Sequence, residues 1–150
     1  HEAELVVLLT GGGSDIPEHV ALDYVAGITL GLDLTLRELQ TTLKEKGRPW
    51  ELAKSFDCAA PLGDIKPYIE QELQDLQFTC RVNGEVRQRG DTRQMTYSVA
   101  RQIHLLSQTW ALLPGDVIYT GTPAGVGPLV AGDVVQLEGP AIGRFEWRCD

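Results

Sequence analysis

The chain has 150 residues and a mass of 16.5 kDa, with 43% hydrophobic and 23% charged residues. That is enough for one ordinary globular domain whose core needs neither disulfides nor a structural metal. Thirteen Lys and Arg against 21 Asp and Glu leave a net charge of -8 and a pI near 4.8, the wrong sign for binding nucleic acid or an anionic membrane. Cys58, Cys80 and Cys149 are odd in number, far apart and outside any zinc-like Cys/His spacing, and no apolar run approaches the roughly 18 residues of a spanning helix. A soluble, cytoplasmic protein with reduced thiols is expected.

His1-Glu2-Ala3-Glu4 leads into residues 5–9, a short apolar run with the Val content of a buried strand. After Gly11-Gly12-Gly13, Asp15 and Pro17 predict the cap and first turn of a helix over 18–26 that stops at Gly27, followed by a strand over 28–32. Thr35-Leu36-Arg37-Glu38 matches a capping box, and Leu36, Leu39 and Leu43 repeat at helical spacing until Gly47. Residues 76–81 and 85–89 flank Asn83-Gly84, a strong hairpin signal. A helix over 97–112 should end before Pro114, and short strands over 117–120, 134–138 and 144–149 are punctuated by Pro- and Gly-containing turns. No repeat, linker or domain boundary interrupts residues 1–150, so a single domain is expected.

Candidate chemistry starts with Glu2 and Glu4, which a strand turns to the same face. Two converging carboxylates want a counter-cation, a basic side chain or a divalent metal, unless they mark only a solvated strand end. Asp33 is a third acid. Thr35 and Glu38 complete the capping box without it, leaving Asp33 at a strand-to-helix junction with no structural duty. Three carboxylates without His or Cys suit Mg²⁺ or Mn²⁺. Lys54, if in a strand, shares an apolar face with Trp50, Leu52 and Phe56, either snorkelling or held to meet an anion. Arg37 and Gln40 border the Leu stripe, where surface polarity explains them equally well. The glycine-rich run 120–127 has neither dinucleotide nor P-loop spacing, so it is either a plain turn cluster or a place where backbone N–H groups and Thr122 meet a small anion. His19 and His104 have no acid or nucleophile nearby in sequence and read as structural, and the arginines between Arg81 and Arg101 read as a solvated hairpin face.

Taken together, these residues resemble the catalytic domain of the fumarylacetoacetate hydrolase family over nearly the whole chain. His1-Glu2-Ala3-Glu4-Leu5 is similar to its metal-binding Glu-x-Glu strand, and the segment from Asp33 through Arg37 to Gln40 to its Asp-x-x-x-Arg-x-x-Gln segment. Lys54-Ser55-Phe56-Asp57, Pro61-Leu62-Gly63, Val82-Asn83-Gly84-Glu85, Pro114-Gly115-Asp116 and Thr120-Gly121-Thr122-Pro123 follow in the family's order. The resemblance implies an α+β fold, a mixed β-sheet rolled into a barrel with peripheral helices, usually a homodimer. It also implies Glu2, Glu4 and Asp33 as ligands of Mg²⁺ or Mn²⁺. Lys54, Arg37 and Gln40 would be the catalytic and substrate-binding residues, with Thr122 also lining the substrate site. Residues 47–56 look most like the acylpyruvate hydrolase branch, whose members cleave the carbon–carbon bond of 2,4-dioxo acids to release pyruvate. Oxaloacetate decarboxylases and tautomerases and 2-hydroxy-dienedioate isomerases of aromatic catabolism share that site, and a metal-binding module without turnover is the non-enzymatic alternative. The family's water-activating His and Glu precede the Glu-x-Glu strand, so the resemblance implies further residues upstream of His1. Gly11-Gly12-Gly13-Ser14 departs from the family's Gly-Lys turn, and residues 64–76 look shorter than usual.

Overall fold

The computed structural model describes residues 1–69 and 71–150; Glu70, within the stretch read above as short, lies outside them. Strands β1 (Ala3–Leu9), β2 (Val25–Leu32), β3 (Lys66–Pro67) and β6 (Val117–Tyr119) form one four-stranded sheet in the order β3-β2-β1-β6. Strands β4 (Gln77–Val82), β5 (Glu85–Asp91), β7 (Val134–Gly139) and β8 (Gly143–Arg148) form the other, ordered β5-β4-β7-β8. Helices α1 (Arg37–Glu45) and α2 (Val99–Ser107) and short 3-10 turns complete the α+β architecture.

The strand pattern corrects one expectation. In place of a mixed sheet, every pairing between these strands is antiparallel, and among the described residues no ladder joins the two sheets into a closed barrel. The connections explain this: β4 and β5 are joined by a two-residue turn, while β1 and β2 are joined by the loop and 3-10 turn between Leu9 and Val25, with no helical crossover returning a strand in parallel. Leu5, Val7, Leu9, Ile28 and Leu30 of the first sheet and Phe78, Cys80, Val135 and Leu137 of the second are buried in one shared core, with Ile103 of α2. Along β1, alternation sends Leu5, Val7 and Leu9 to that core and Glu4 and Val6 to the other face.

The hairpin forms as read: Asn83 and Gly84 both take positive φ, 51° and 82°, the backbone a tight twisted turn demands. The expected 18–26 helix is a 3-10 turn over Glu18–Tyr24, and β2 begins at Val25 and passes straight through Gly27. Gly27 is no helix stop. A Cβ there would lie 2.4 Å from Ile65 Cγ2 and 2.7 Å from the Lys66 carbonyl, so its bareness lets β3 pair with β2.

The expected capping box is also absent. Helix α1 starts at Arg37 with Leu36 at the cap position and no side-chain cap bond, while the Thr35 hydroxyl turns back to the Asp33 carbonyl at 3.4 Å. Starting there leaves Arg37 free to reach Glu2. Within α1 the buried residue is Gln40, and the Leu stripe is only partly covered. Residues around Lys54 form no strand: Glu51–Ala53 is a 3-10 turn with Ala53 buried and Leu52 exposed, and Lys54 ends it. Helix α2 is shorter than 97–112, opening at Ser98, whose side chain accepts the Arg101 N–H. No helix among the described residues is long and apolar enough to cross a membrane.

Two predictions follow from the packing. Gly27→Ala should cost about 1–3 kcal/mol by forcing β3 off β2, read as a lower urea midpoint with an unchanged slope; an unchanged midpoint would contradict the close approach. Burial pushes the Cys80 thiol up to about 11, whereas Cys58 is exposed. At pH 8 a thiol titrating near 11 is only about 0.1% thiolate, so maleimide should label Cys58 of the native protein quickly and Cys80 only on unfolding.

Candidate metal centre

Antiparallel pairing of the two central strands builds the site. Ala3 pairs with Leu32 and Glu4 with Gly31, so Glu2, just before β1, and Asp33, just after β2, fall side by side. The Asp33 N–H donates to the Glu2 carbonyl at 2.8 Å and closes that end of the ladder. Glu2, Glu4 and Asp33 each offer a carboxylate oxygen, and these oxygens lie within 4.8 Å of one another. Asp33, 29 residues after Glu4 and 31 after Glu2, therefore meets them because two strands pair in one register.

Cations flank the cluster. Lys54 Nζ donates to Glu2 Oε2 at 2.8 Å and to Asp33 Oδ2 at 2.5 Å. Arg37 donates Nη2 to Glu2 Oε1 and Nη1 to Gln40 Oε1, the latter at 3.0 Å. Gln40 is buried and so anchors a guanidinium that is itself half exposed. Glu4 is set apart from the ammonium, 4% exposed, and its Oε2 accepts the Gly121 N–H at 2.6 Å.

These surroundings divide the acids. Burial raises Glu2, but hydrogen bonds from Lys54 and Arg37 outweigh it and leave the carboxyl below its ordinary value. Burial also dominates at Glu4, where the Gly121 N–H only partly offsets it and the charges of Asp33 and Glu2 add to it, pushing the group up to about 7. Lys54 is lowered by burial yet raised overall by its bonds to Asp33 and Glu2, so the ammonium stays charged. Tyr119 is pushed up to about 12 by burial and by the nearby charges of Glu4 and Asp33.

The structure thus brings together Glu2, Glu4, Asp33, Lys54, Arg37 and Gln40. Thr122 is close, but its hydroxyl is engaged: it donates to the Ala3 carbonyl at 2.9 Å and accepts Gln88 Nε2 at 2.8 Å. In the glycine-rich run the Gly121 N–H meets a protein carboxylate, that of Glu4, while the Thr122 hydroxyl is bonded to Ala3 and Gln88. His19 is exposed, and His104 Nδ1 lies 2.8 Å from the Ile16 carbonyl, away from the cluster. Exposed ion pairs of Arg87 with Glu85 and Arg101 with Glu18 agree with a solvated arginine face. Gln88 and Tyr119 were missed. Neither carries a local signal, since Gln88 sits among those arginines and Tyr119 in a short strand, and their partners are distant in sequence.

The donor set fits a hard divalent cation: carboxylate oxygens only, converging, one of them buried without a basic partner, and a cation-holding geometry already expressed by the ammonium between Glu2 and Asp33.

The family profile "Fumarylacetoacetate (FAA) hydrolase C-terminal" matches residues 1–149, and the chain belongs to the fumarylacetoacetate hydrolase family. Its relatives are enzymes of several kinds. Mitochondrial oxaloacetate tautomerase FAHD1 of Mus musculus is 43% identical over 151 residues, covering 97% of this chain and 67% of its own. An uncharacterised protein of Pyrococcus horikoshii is 40% identical over 148 residues, covering 98% of this chain. A crystal structure of fumarylpyruvate hydrolase from Pseudomonas aeruginosa in complex with Mn²⁺ and pyruvate superposes with a TM-score of 0.94 at 40% identity, covering 99% of this chain and 64% of that one. The chain spans 64% of the length of the Pyrococcus relative.

Lys54→Met tests the charge balance. Removing the ammonium leaves Glu2 and Asp33 facing each other, so in chelator the variant should lose on the order of 1–3 kcal/mol. Added Mg²⁺ should raise its melting temperature by more than it raises that of the unaltered protein, because a divalent ion compensates the same carboxylates. An equal shift in both would argue that the ion binds elsewhere.

Proposed function

We propose that the protein is a Mg²⁺- or Mn²⁺-dependent enzyme that cleaves the carbon–carbon bond of an acylpyruvate, releasing pyruvate and a carboxylic acid. The convergence of Glu2, Glu4 and Asp33 beside a charged Lys54 carries this reading. Glu2, Glu4 and Asp33 would hold the divalent ion, which when bound would supply Lewis-acid polarisation to a 2-oxo acid.

The chain's own residues account for the rest of the pyruvate half. Arg37, steadied by buried Gln40, offers a planar pair of donors suited to the substrate carboxylate. Water adds to the distal carbonyl; the bond to the pyruvate carbon breaks, its electron pair becoming an enolate that takes up a proton to give pyruvate. Lys54 Nζ is positioned to meet that developing negative charge, and it remains cationic through neutral pH because Asp33 and Glu2 hold its proton. The Gly121 N–H meets Glu4, and Thr122 supports the site through its hydroxyl bond to the Ala3 carbonyl. A homodimer is part of the same proposal, read by light scattering of the full-length protein.

A second reading is tautomerisation or decarboxylation of oxaloacetate, favoured by the 43% identity to the mouse tautomerase. It uses the same enolate stabilisation without water attack. In the full-length protein, metal-dependent pyruvate release from acetylpyruvate should exceed that from oxaloacetate, and Asp33→Ala should abolish it while leaving the circular dichroism unchanged. Faster turnover of oxaloacetate would favour the second reading, Mn²⁺ binding without turnover a binding module, and activity indifferent to chelator and to Asp33→Ala would refute a metal-dependent enzyme.

A further inference from the structure

Gln88 lies on β5 opposite Cys80 of β4, 1% exposed. Its carboxamide is fully used: Oε1 accepts the Ala3 N–H at 3.1 Å and lies 3.0 Å from His1 Nδ1, while Nε2 donates to the Thr122 hydroxyl at 2.8 Å and the Pro123 carbonyl at 2.9 Å. The orientation is forced, because a backbone N–H only donates and a carbonyl only accepts. It follows that His1 Nδ1 carries its proton toward Gln88. Thr122, accepting from Gln88, sends its own proton to the Ala3 carbonyl at 2.9 Å.

Ala3 is the residue between Glu2 and Glu4. Its N–H is held by Gln88 and its carbonyl by Thr122, so the peptide groups on both sides of it are tied to the same pair of side chains. The turn that Gln88 grips at Thr122 and Pro123 is also the turn whose Gly121 N–H reaches Glu4 Oε2 at 2.6 Å. One amide from the second sheet is therefore bonded to the peptide between Glu2 and Glu4 and to the turn that meets Glu4.

We propose that Gln88 is a positioning residue of the metal centre, fixing the spacing and orientation of the Glu2 and Glu4 carboxylates through Ala3 and the 121–123 turn. The inference rests on the reading of Glu2, Glu4 and Asp33 as metal ligands. Side chains that hold ligands in place without touching the ion typically contribute about 10–100-fold to affinity.

Mn²⁺ titrated calorimetrically into chelator-stripped full-length protein provides the test, with melting curves recorded on the same samples. Gln88→Met keeps the volume and removes every hydrogen bond of the amide; it should weaken Mn²⁺ binding about tenfold or more at unchanged stoichiometry. A lower melting temperature with wild-type affinity in the folded protein would show that Gln88 only satisfies the core, and would overturn the proposal. Should Gln88→Met not fold, Thr122→Val cuts the same relay at one oxygen and Thr122→Ser restores it. Weak binding by the Val variant with recovery in Ser supports the proposal, and wild-type affinity in the Val variant overturns it. Failure of the unaltered protein to bind Mn²⁺ would instead remove the ligand reading itself.

Discussion

Repulsion among Glu2, Glu4 and Asp33 is the constraint on which the site is organised. Three carboxylates whose oxygens approach within 4.8 Å of one another stay ionised only if positive charge or hydrogen-bond donors meet them. The fold supplies both, unequally. Lys54 and Arg37 bond to Glu2 and Lys54 also to Asp33, whereas Glu4 accepts the Gly121 N–H and feels the Lys54 charge without a bond to it. Burial and the neighbouring carboxylates consequently push Glu4 up to about 7, whereas Glu2 is held below its ordinary value. That asymmetry is why the cluster reads as a ligand set and not as a closed salt-bridge network.

Several local rules are broken where they would interfere with this arrangement. Thr35 and Glu38 have the spacing of a capping box, yet helix α1 begins without one, and its first residue sends a guanidinium to Glu2. A cap bond contributes about 1 kcal/mol, less than a charge-assisted contact to a part-buried carboxylate can supply. The Leu stripe is likewise subordinate to Gln40, the buried residue of α1, whose partner is Arg37. Long-range contacts override local propensity here.

The sequence was most legible where a feature is local. Asn83-Gly84 encodes its turn in two residues, and the hairpin follows with nearly the expected ends. Glu2 and Glu4 share a strand face, which needs only period-two alternation. Asp33 could be singled out as lacking a structural duty and Lys54 as a lysine on an expected apolar face, and the family resemblance assigned them roles. Illegible were the features set by distant partners. Gly27 reads as a helix stop until β3 is seen against it, and Lys54 reads as a strand residue although its segment is a 3-10 turn. Antiparallel pairing throughout was hidden for the same reason, since strand direction depends on which strands meet.

Gln88 shows why the supporting parts of such a site escape a reading of sequence. Among Arg87, Arg89 and Glu85 it looks like one more solvated residue of a hairpin. Burial along β5 does alternate, Gln88 and Gly90 facing in between exposed Arg87 and Arg89, but no apolar run marks which of the two faces is the inner one. Once inward, an amide in this place has little freedom: the Ala3 N–H and the Pro123 carbonyl would otherwise be left without these partners, and each unsatisfied buried group costs about 1–3 kcal/mol. Core satisfaction and ligand alignment are thus served by the same four contacts. They separate only in their consequences, because the first acts on the stability of the whole domain and the second on the geometry of two oxygens.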